Sequence, residues 1–235
     1  NAAWARRFTG DLERSEREFQ QSTAIIERIL GPLHRFTAIG YTNLGILAQL
    51  RGRNEDAVRL SMQALSGMMR DRRATLDEQR WAFETLSNAF KGMGDTRRAI
   101  LFAKQAVNAQ QELRANNKEL SKEEIQDFKT EWRRLYENLA SLLISEGRLS
   151  EAQAVLAMEK EEEFVDFIRR DATEDLSDSR AMLTDGEETV QESVETLLSR
   201  PIAAATEVAA LTERKNAGRL SGEDKERLEQ LEEVL

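Results

Sequence analysis

Glycines at positions 10, 52, 94 and 147 recur at steps of 42, 42 and 53 residues, and each closes the same pattern of large and small side chains. A period of this size folds as a stack of like units, because one unit cannot bury its own apolar face and must cover it with its neighbours. Counting Tyr41 as position 4, Leu44 and Gly45 fall at 7 and 8, Ala48 at 11, Gly52 at 15, Ala57 at 20, and Ala64 and Leu65 at 27 and 28. A second copy places Phe83, Leu86, Ser87, Phe90, Gly94, Ala99 and Ala106 at those offsets, and a third places Tyr136, Leu139, Ala140, Leu143, Gly147 and Ala152. Half a copy precedes them, with Trp4, Gly10, Ser15, Phe19 and Ser22 in matching places. Small residues at 8, 20 and 27 let two antiparallel helices approach closely, while large ones at 4, 7, 11 and 24 fill the space between them. Two prolines in 235 residues and 6% aromatics suit long helices rather than strands.

These positions resemble the tetratricopeptide signature, and the lengthened spacing is similar to the repeats of kinesin light chain and of cell-polarity scaffolds. The fold class expected is all-α: a tetratricopeptide-like antiparallel helix-pair solenoid followed by a helical, coiled-coil hairpin. The divisions expected are a half repeat over 1–30, repeats over 31–72 and 73–115, a repeat with an extended last helix over 116–171, and a helical connector over 172–235. Asn54 and Asp95 are placed to cap helices, and Thr75-x-x-Glu78, Ser121-x-x-Glu124 and Thr184-x-x-Glu187 read as capping boxes, with Ser221-x-x-Asp224 opening the last helix in the same way. The third copy departs at position 27, where Glu159 replaces the small residue.

After Leu156 the wording changes to Glu159, Glu161, Glu162 and Glu163 followed by Phe164, Phe167, Ile168, Arg169, Arg170 and Asp171. The simplest reading makes the glutamates the solvated side of a long helix. Pro201 is expected to break the next helix, and residues 172–183, poor in apolar side chains, to form a flexible joint. Val190, Val194, Leu197 and Leu198, then Val208, Leu211, Leu228, Leu231, Val234 and Leu235, form narrow stripes that need a partner surface, either further chain or a second copy. The run from Glu159 to Asp171, with Leu211 to Lys215 and Arg219 to Leu231 beyond it, resembles the bacterial family whose tetratricopeptide arrays precede a CHAT domain, a caspase- and separase-like cysteine peptidase fold. One branch of that family is similar to the partner of an RNA-guided CRISPR effector. The resemblance implies an array that docks a partner and a connector that links it to a peptidase. The peptidase chemistry uses a histidine and a cysteine beyond the hairpin, so no catalytic residue carries over to this chain.

The chain has 34 basic and 43 acidic residues, one histidine and no cysteine, for a net charge of −9. Absence of cysteine excludes a disulfide scaffold, a zinc ribbon and a thiol nucleophile, and His34 alone cannot build a multi-histidine metal centre. The net charge argues against nucleic acid, leaving only a local basic group of Arg70, Arg72, Arg73 and Arg80 to suggest it. No stretch approaches the roughly 18 apolar residues of a membrane span, and the first residues lack a signal peptide's apolar centre. A cytoplasmic location is expected, and a chain starting at Asn1 and ending on Leu235 inside a helical pattern reads as a fragment. Adjacent glutamates point to different faces of a helix and make poor acid and base pairs. No enzyme activity, cofactor or metal is therefore expected.

What remains is recognition. The first helix of each pair lines the concave groove of such a superhelix. Asn43, Asn88 and Asn138 fall on groove positions, where an amide that both donates and accepts can bond the backbone of an extended peptide. Gln49, Glu84, Lys91, Arg134 and Glu137 would supply specificity around that row. The partner expected is a protein or extended peptide, together with an effector domain of the same full-length chain. A scaffold whose residues 184–235 self-associate as a homodimer is the alternative.

Overall fold

A computed structural model describes residues 11–69, 75–116, 122–168 and 180–232, and its regular structure is entirely helical among them. The helices run α1 Leu12–Leu30, α2 Arg35–Leu50, α3 Asn54–Met68, α4 Leu76–Gly92, α5 Thr96–Asn116, α6 Lys122–Ser145, α7 Leu149–Ile168, α8 Asp185–Asn216 and α9 Gly222–Glu232. Helices α2/α3, α4/α5 and α6/α7 form the three pairs. From α1 to α7 each helix packs on the next in sequence, α2 also packs on α4, the first helix of the following pair, and α8 packs on α3 and on α9. The result is an all-α, tetratricopeptide-like array.

The repeated glycines make the turns. Gly52, Gly94 and Gly147 have φ of 73°, 78° and 71°, the left-handed region where a side chain is costly. At each, the glycine N–H bonds the carbonyl three residues back (Gln49, Lys91, Ile144, 2.9–3.0 Å), and the next N–H bonds the carbonyl five back (Ala48, Phe90, Leu143, 2.9 Å). This is the Schellman geometry in three copies, and it satisfies the carbonyls that a helix end leaves open. Gly10, the fourth member of the spacing, lies outside the described residues.

The small residues pack as their spacing requires. Ala57, Ala64 and Ala99 are fully buried, with Ala106 and Ala152 nearly so, and a Cβ on Gly45 would stand 2.9 Å from Ser61 Oγ. Around them Leu47, Leu86, Tyr136, Leu139 and Leu143 are also fully buried. Each such leucine contributes about 2 kcal/mol relative to exposure. At position 27 of the third pair, Glu159 turns to Arg133 of α6 (3.2 Å), so an ion pair stands where the other pairs close on alanine.

Several expected local features differ. Asn54 is not a cap, because the Schellman turn at Gly52 brings Arg53 into the N-cap place and α3 starts at once; the Asn54 amide lies against Gly92 instead. Thr75 does not form its box, since its Oγ1 accepts from Gln79 Nε2 (2.9 Å) and Glu78 lies 3.6 Å from Arg35. Ser121 lies outside the described residues. Asp95 does cap α5, accepting from Arg98 N at 3.0 Å, and the boxes at Thr184–Glu187 and Ser221–Asp224 form with both reciprocal bonds. Pro201 lies inside α8 rather than at a break. It removes one backbone bond, and the helix is anchored on either side of it, by Leu198 against the array and by Ala204 and Leu211 against α9.

The expected joint over 172–183 falls partly outside the described residues; the part within them, 180–183, has no regular secondary structure. From there α8 returns to the array. Val194 and Leu198 join the main core beside α3 and α5, and Leu211 packs with Leu228 and Leu231 of α9. Part of the stripe expected to seek a second copy is thus covered within the same chain, while Val190 and Leu197 stay exposed and Val234 and Leu235 lie outside the described residues. No helix among the described residues is long and apolar enough to cross a membrane.

Candidate functional site

The groove residues named from sequence lie on the first helices. Asn43 is half-buried on α2 and donates through Nδ2 to Ile39 O of its own helix (2.9 Å), leaving its carbonyl and a second N–H. Gln49 is half-buried near the end of α2. On α4, Glu84 and Asn88 are half-buried, Glu84 lies 4.0 Å from Arg80 Nη1, and Lys91 is exposed. On α6, Arg134 and Glu137 are exposed and Asn138 is half-buried. Lys91 Nζ donates to Asn138 Oδ1 across the two helices (3.3 Å), so the structure brings these two together and leaves both Asn138 N–H groups available. The asparagines therefore differ in what they have left to offer a ligand.

His34 is the N-cap of α2, its Nδ1 accepting from Phe36 N at 3.2 Å. Arg80 does not belong to a surface patch: it is buried, bonded to Asp77 (2.8 Å) and stacked on Trp81. Arg70, Arg72 and Arg73 lie outside the described residues. Among the described residues no group of three or more acidic or histidine side chains is arranged to hold a metal ion. Tyr41, half-buried and donating to Glu27 (2.7 Å), has its hydroxyl pKa pushed up, first by burial and then by that carboxylate.

A second cluster, which the sequence did not single out, lies on the second helices of pairs two and three. Lys104 of α5 is 1% exposed, and its three N–H donors are all used: Glu151 Oε2 of α7 at 2.6 Å, Met182 O at 2.5 Å and Glu187 Oε2 of α8 at 2.8 Å. Arg148, directly after the turn at Gly147, grips Glu151 through Nε and Nη2 and Glu187 through Nη1, each at 2.7 Å. One turn further along α5, Asn108 accepts from Ala181 N (2.8 Å) and donates to Ala181 O (3.1 Å), bonding both backbone polar groups of one non-helical residue. Gln105 and Gln191 bond side chain to side chain at 2.5 Å.

The capping box of α8 takes part in the same network. Glu187 Oε2 also accepts from Thr184 N at 2.9 Å, so the carboxylate that closes the helix N-terminus is the one that reaches Lys104. Burial alone would raise the Glu187 pKa, but the bonds from Arg148, Lys104 and Thr184 outweigh it and hold the pKa at about 2. Glu151 is likewise held low, first by Arg148. Beside the network, Leu65, Phe83, Phe102, Val194 and Leu198 line a small, largely apolar pocket of about 50 Å³, open to solvent, beneath α8.

With this geometry in view, the comparisons with known proteins bear on the array alone. The tetratricopeptide-repeat family model matches residues 1–70, which span α1 and the first complete pair. No curated protein matches the chain. The turns at Gly94 and Gly147 and the buried alanines at 99, 106 and 152 carry the same geometry beyond the matched residues. Tetratricopeptide repeats mediate protein–protein interaction and are typically non-catalytic modules.

Proposed function

We propose that the chain is a protein-recognition module, binding an extended peptide or protein segment in the groove lined by α2, α4 and α6. The connector formed by α8 and α9 would link that groove to a C-terminal effector of the CHAT peptidase kind. The supporting observation is the meeting of α4 and α6 at Lys91 and Asn138, where two free amide N–H groups, an exposed cation and the nearby Arg134 and Glu137 offer main-chain bonding and charge together. The effector reading rests on the resemblance of residues 159–171 and 211–231 to the CHAT-associated arrays.

Peptides selected from a displayed random library on the parent chain provide the test. Replacing Asn43, Asn88 and Asn138 together by alanine should weaken the selected peptides at least tenfold while shifting stability by no more than about 0.5 kcal/mol per site, since these side chains are not core. Equal binding by the parent and the triple variant would remove the groove reading. The effector link is tested by the reading frame after Leu235, where a histidine and a cysteine within an α/β sandwich pattern are expected.

A further inference from the structure

The residues that hold 181–187 onto the array do so in a portable way. Asn108 bonds the N–H and carbonyl of Ala181, and Lys104 bonds the carbonyl of Met182, so two successive residues are gripped through main chain. The side chains there carry little sequence information. Ala181 buries only a methyl group in the main core, and Met182 is 77% exposed. The one side chain required is the carboxylate of Glu187, six residues after the Asn108-bound position. Recognition by backbone plus a single acidic anchor is the way an extended peptide is read by a receptor surface.

The receptor side is complete without the segment. Lys104, Arg148 and Glu151 all come from the array, and together they carry one net positive charge, which Glu187 neutralises. Without the segment, Lys104 would keep Glu151 but lose two of its three acceptors, and Asn108 would present an unbonded amide beside it. A cationic, amide-flanked surface of this kind favours any extended segment bearing a suitably spaced carboxylate. It lies on second helices, whereas the groove residues lie on first helices, so the two surfaces are separate.

We propose that Lys104, Asn108, Arg148 and Glu151 form a second segment-recognition site, held in cis by residues 181–187, which an acidic extended segment of a partner protein replaces on binding. The replacement releases the first turn of α8 from the array, leaving Val194 and Leu198 as its remaining hold. The site does not depend on the groove reading, and a partner engaging it would change the position of the connector.

The test uses the full chain and a fluorescein-labelled peptide with the sequence of residues 180–191. In the chain variant Glu187→Lys, like charge beside Lys104 and Arg148 evicts the internal segment while the receptor residues stay intact. The peptide should bind this variant at least tenfold more tightly than the parent. That gain should disappear when the peptide carries Glu187→Gln or when Asn108→Ala is added to the variant chain. Failure to bind, or binding indifferent to both changes, would overturn the proposal. A second measurement needs no variant: excess unlabelled peptide added to the ¹⁵N-labelled parent should speed hydrogen exchange at the Ala181 amide severalfold. An unchanged Ala181 rate at saturating peptide would mean a permanent internal clamp and would also overturn it.

Discussion

Both ends of the array are joined by a glutamate from a neighbouring helix, caught by an arginine that follows a turn glycine, and the two joints differ in what lies beneath. At the N-terminal joint Glu16 of α1 meets Arg51 (2.6 Å) and Arg53 around the turn at Gly52. At the C-terminal joint Glu187 of α8 meets Arg148 around the turn at Gly147 and, below it, Lys104. The side chains of Arg51 and Arg53 are 33% and 41% exposed, whereas that of Lys104 is 1% exposed. Glu16 is itself buried, but both of its arginines reach solvent, so the first joint is a partly screened set of pairs, worth about 1 kcal/mol, with much of its hold coming from Phe19 packed against Leu44 and Leu47. The second is centred on a buried pair, Lys104 and Glu187, with Arg148 and Glu151 partly exposed around it, so loss of either buried member strands the other. The same turn chemistry gives one joint secured by packing and another secured by charge.

The largest effect should follow from Lys104→Ala, which leaves Glu187 and Glu151 facing each other with only Arg148 between them. A loss of about 3 kcal/mol is expected from denaturant unfolding, concentrated in the docking of α8. Next come Ala57→Leu and Ala99→Leu, one in the first pair and one in the second. Both alanines are fully buried between close helices, and each leucine should cost about 1–3 kcal/mol. Similar losses at the two sites would show that the pairs pack alike and that only the joints differ; a neutral result at either would contradict the packing described here.

Glu187→Gln separates the joints by pH. The folded pKa of about 2 lies below the ordinary 4.5, so the carboxylate's contribution is fully present above about pH 4.5 and is lost as pH falls towards 2. The variant should be less stable than the parent by about 2 kcal/mol at neutral pH, with the gap narrowing below pH 4.5 and closing near pH 2. The smallest effect is expected for Glu16→Gln, a loss of about 1 kcal/mol or less that shrinks further in high salt. A Glu16 variant as damaging as Glu187→Gln would erase the distinction between the two joints.

The array was legible because its constraints are local. A glycine needing positive φ, followed at fixed offsets by alanines with no room beside them, leaves the same trace in every copy, and Gly52, Gly94 and Gly147 with Ala57, Ala99 and Ala152 all show it. The capping boxes at Thr184 and Ser221 were legible for the same reason. The Thr75 box and the Asn54 cap failed where a nearby partner competed, Gln79 for the hydroxyl and the preceding Schellman turn for the helix start. Pro201 misled because tertiary packing on both sides of it outweighs one lost backbone bond.

Of the groove, sequence position placed each residue on its helix, but not the bond from Asn43 to its own backbone or that from Lys91 to Asn138. The pairings of the charge network left no trace in the sequence. Lys104 meets carboxylates 47 and 83 residues away, and Asn108 meets a backbone 73 residues away, with no period or motif joining them. The one visible member was Glu187, legible as a helix cap and silent about the lysine it also binds.

The central claim, that a buried charge network fastens α8 to an array that stands by its own repeat packing, is tested most directly by residue-resolved hydrogen exchange on Lys104→Ala. Protection over the first half of α8, residues 185–199, should fall at least tenfold relative to the parent, while the amides of α2, α3 and α4 keep theirs. Unchanged protection in α8, or an equal loss in α2 to α4, would contradict it.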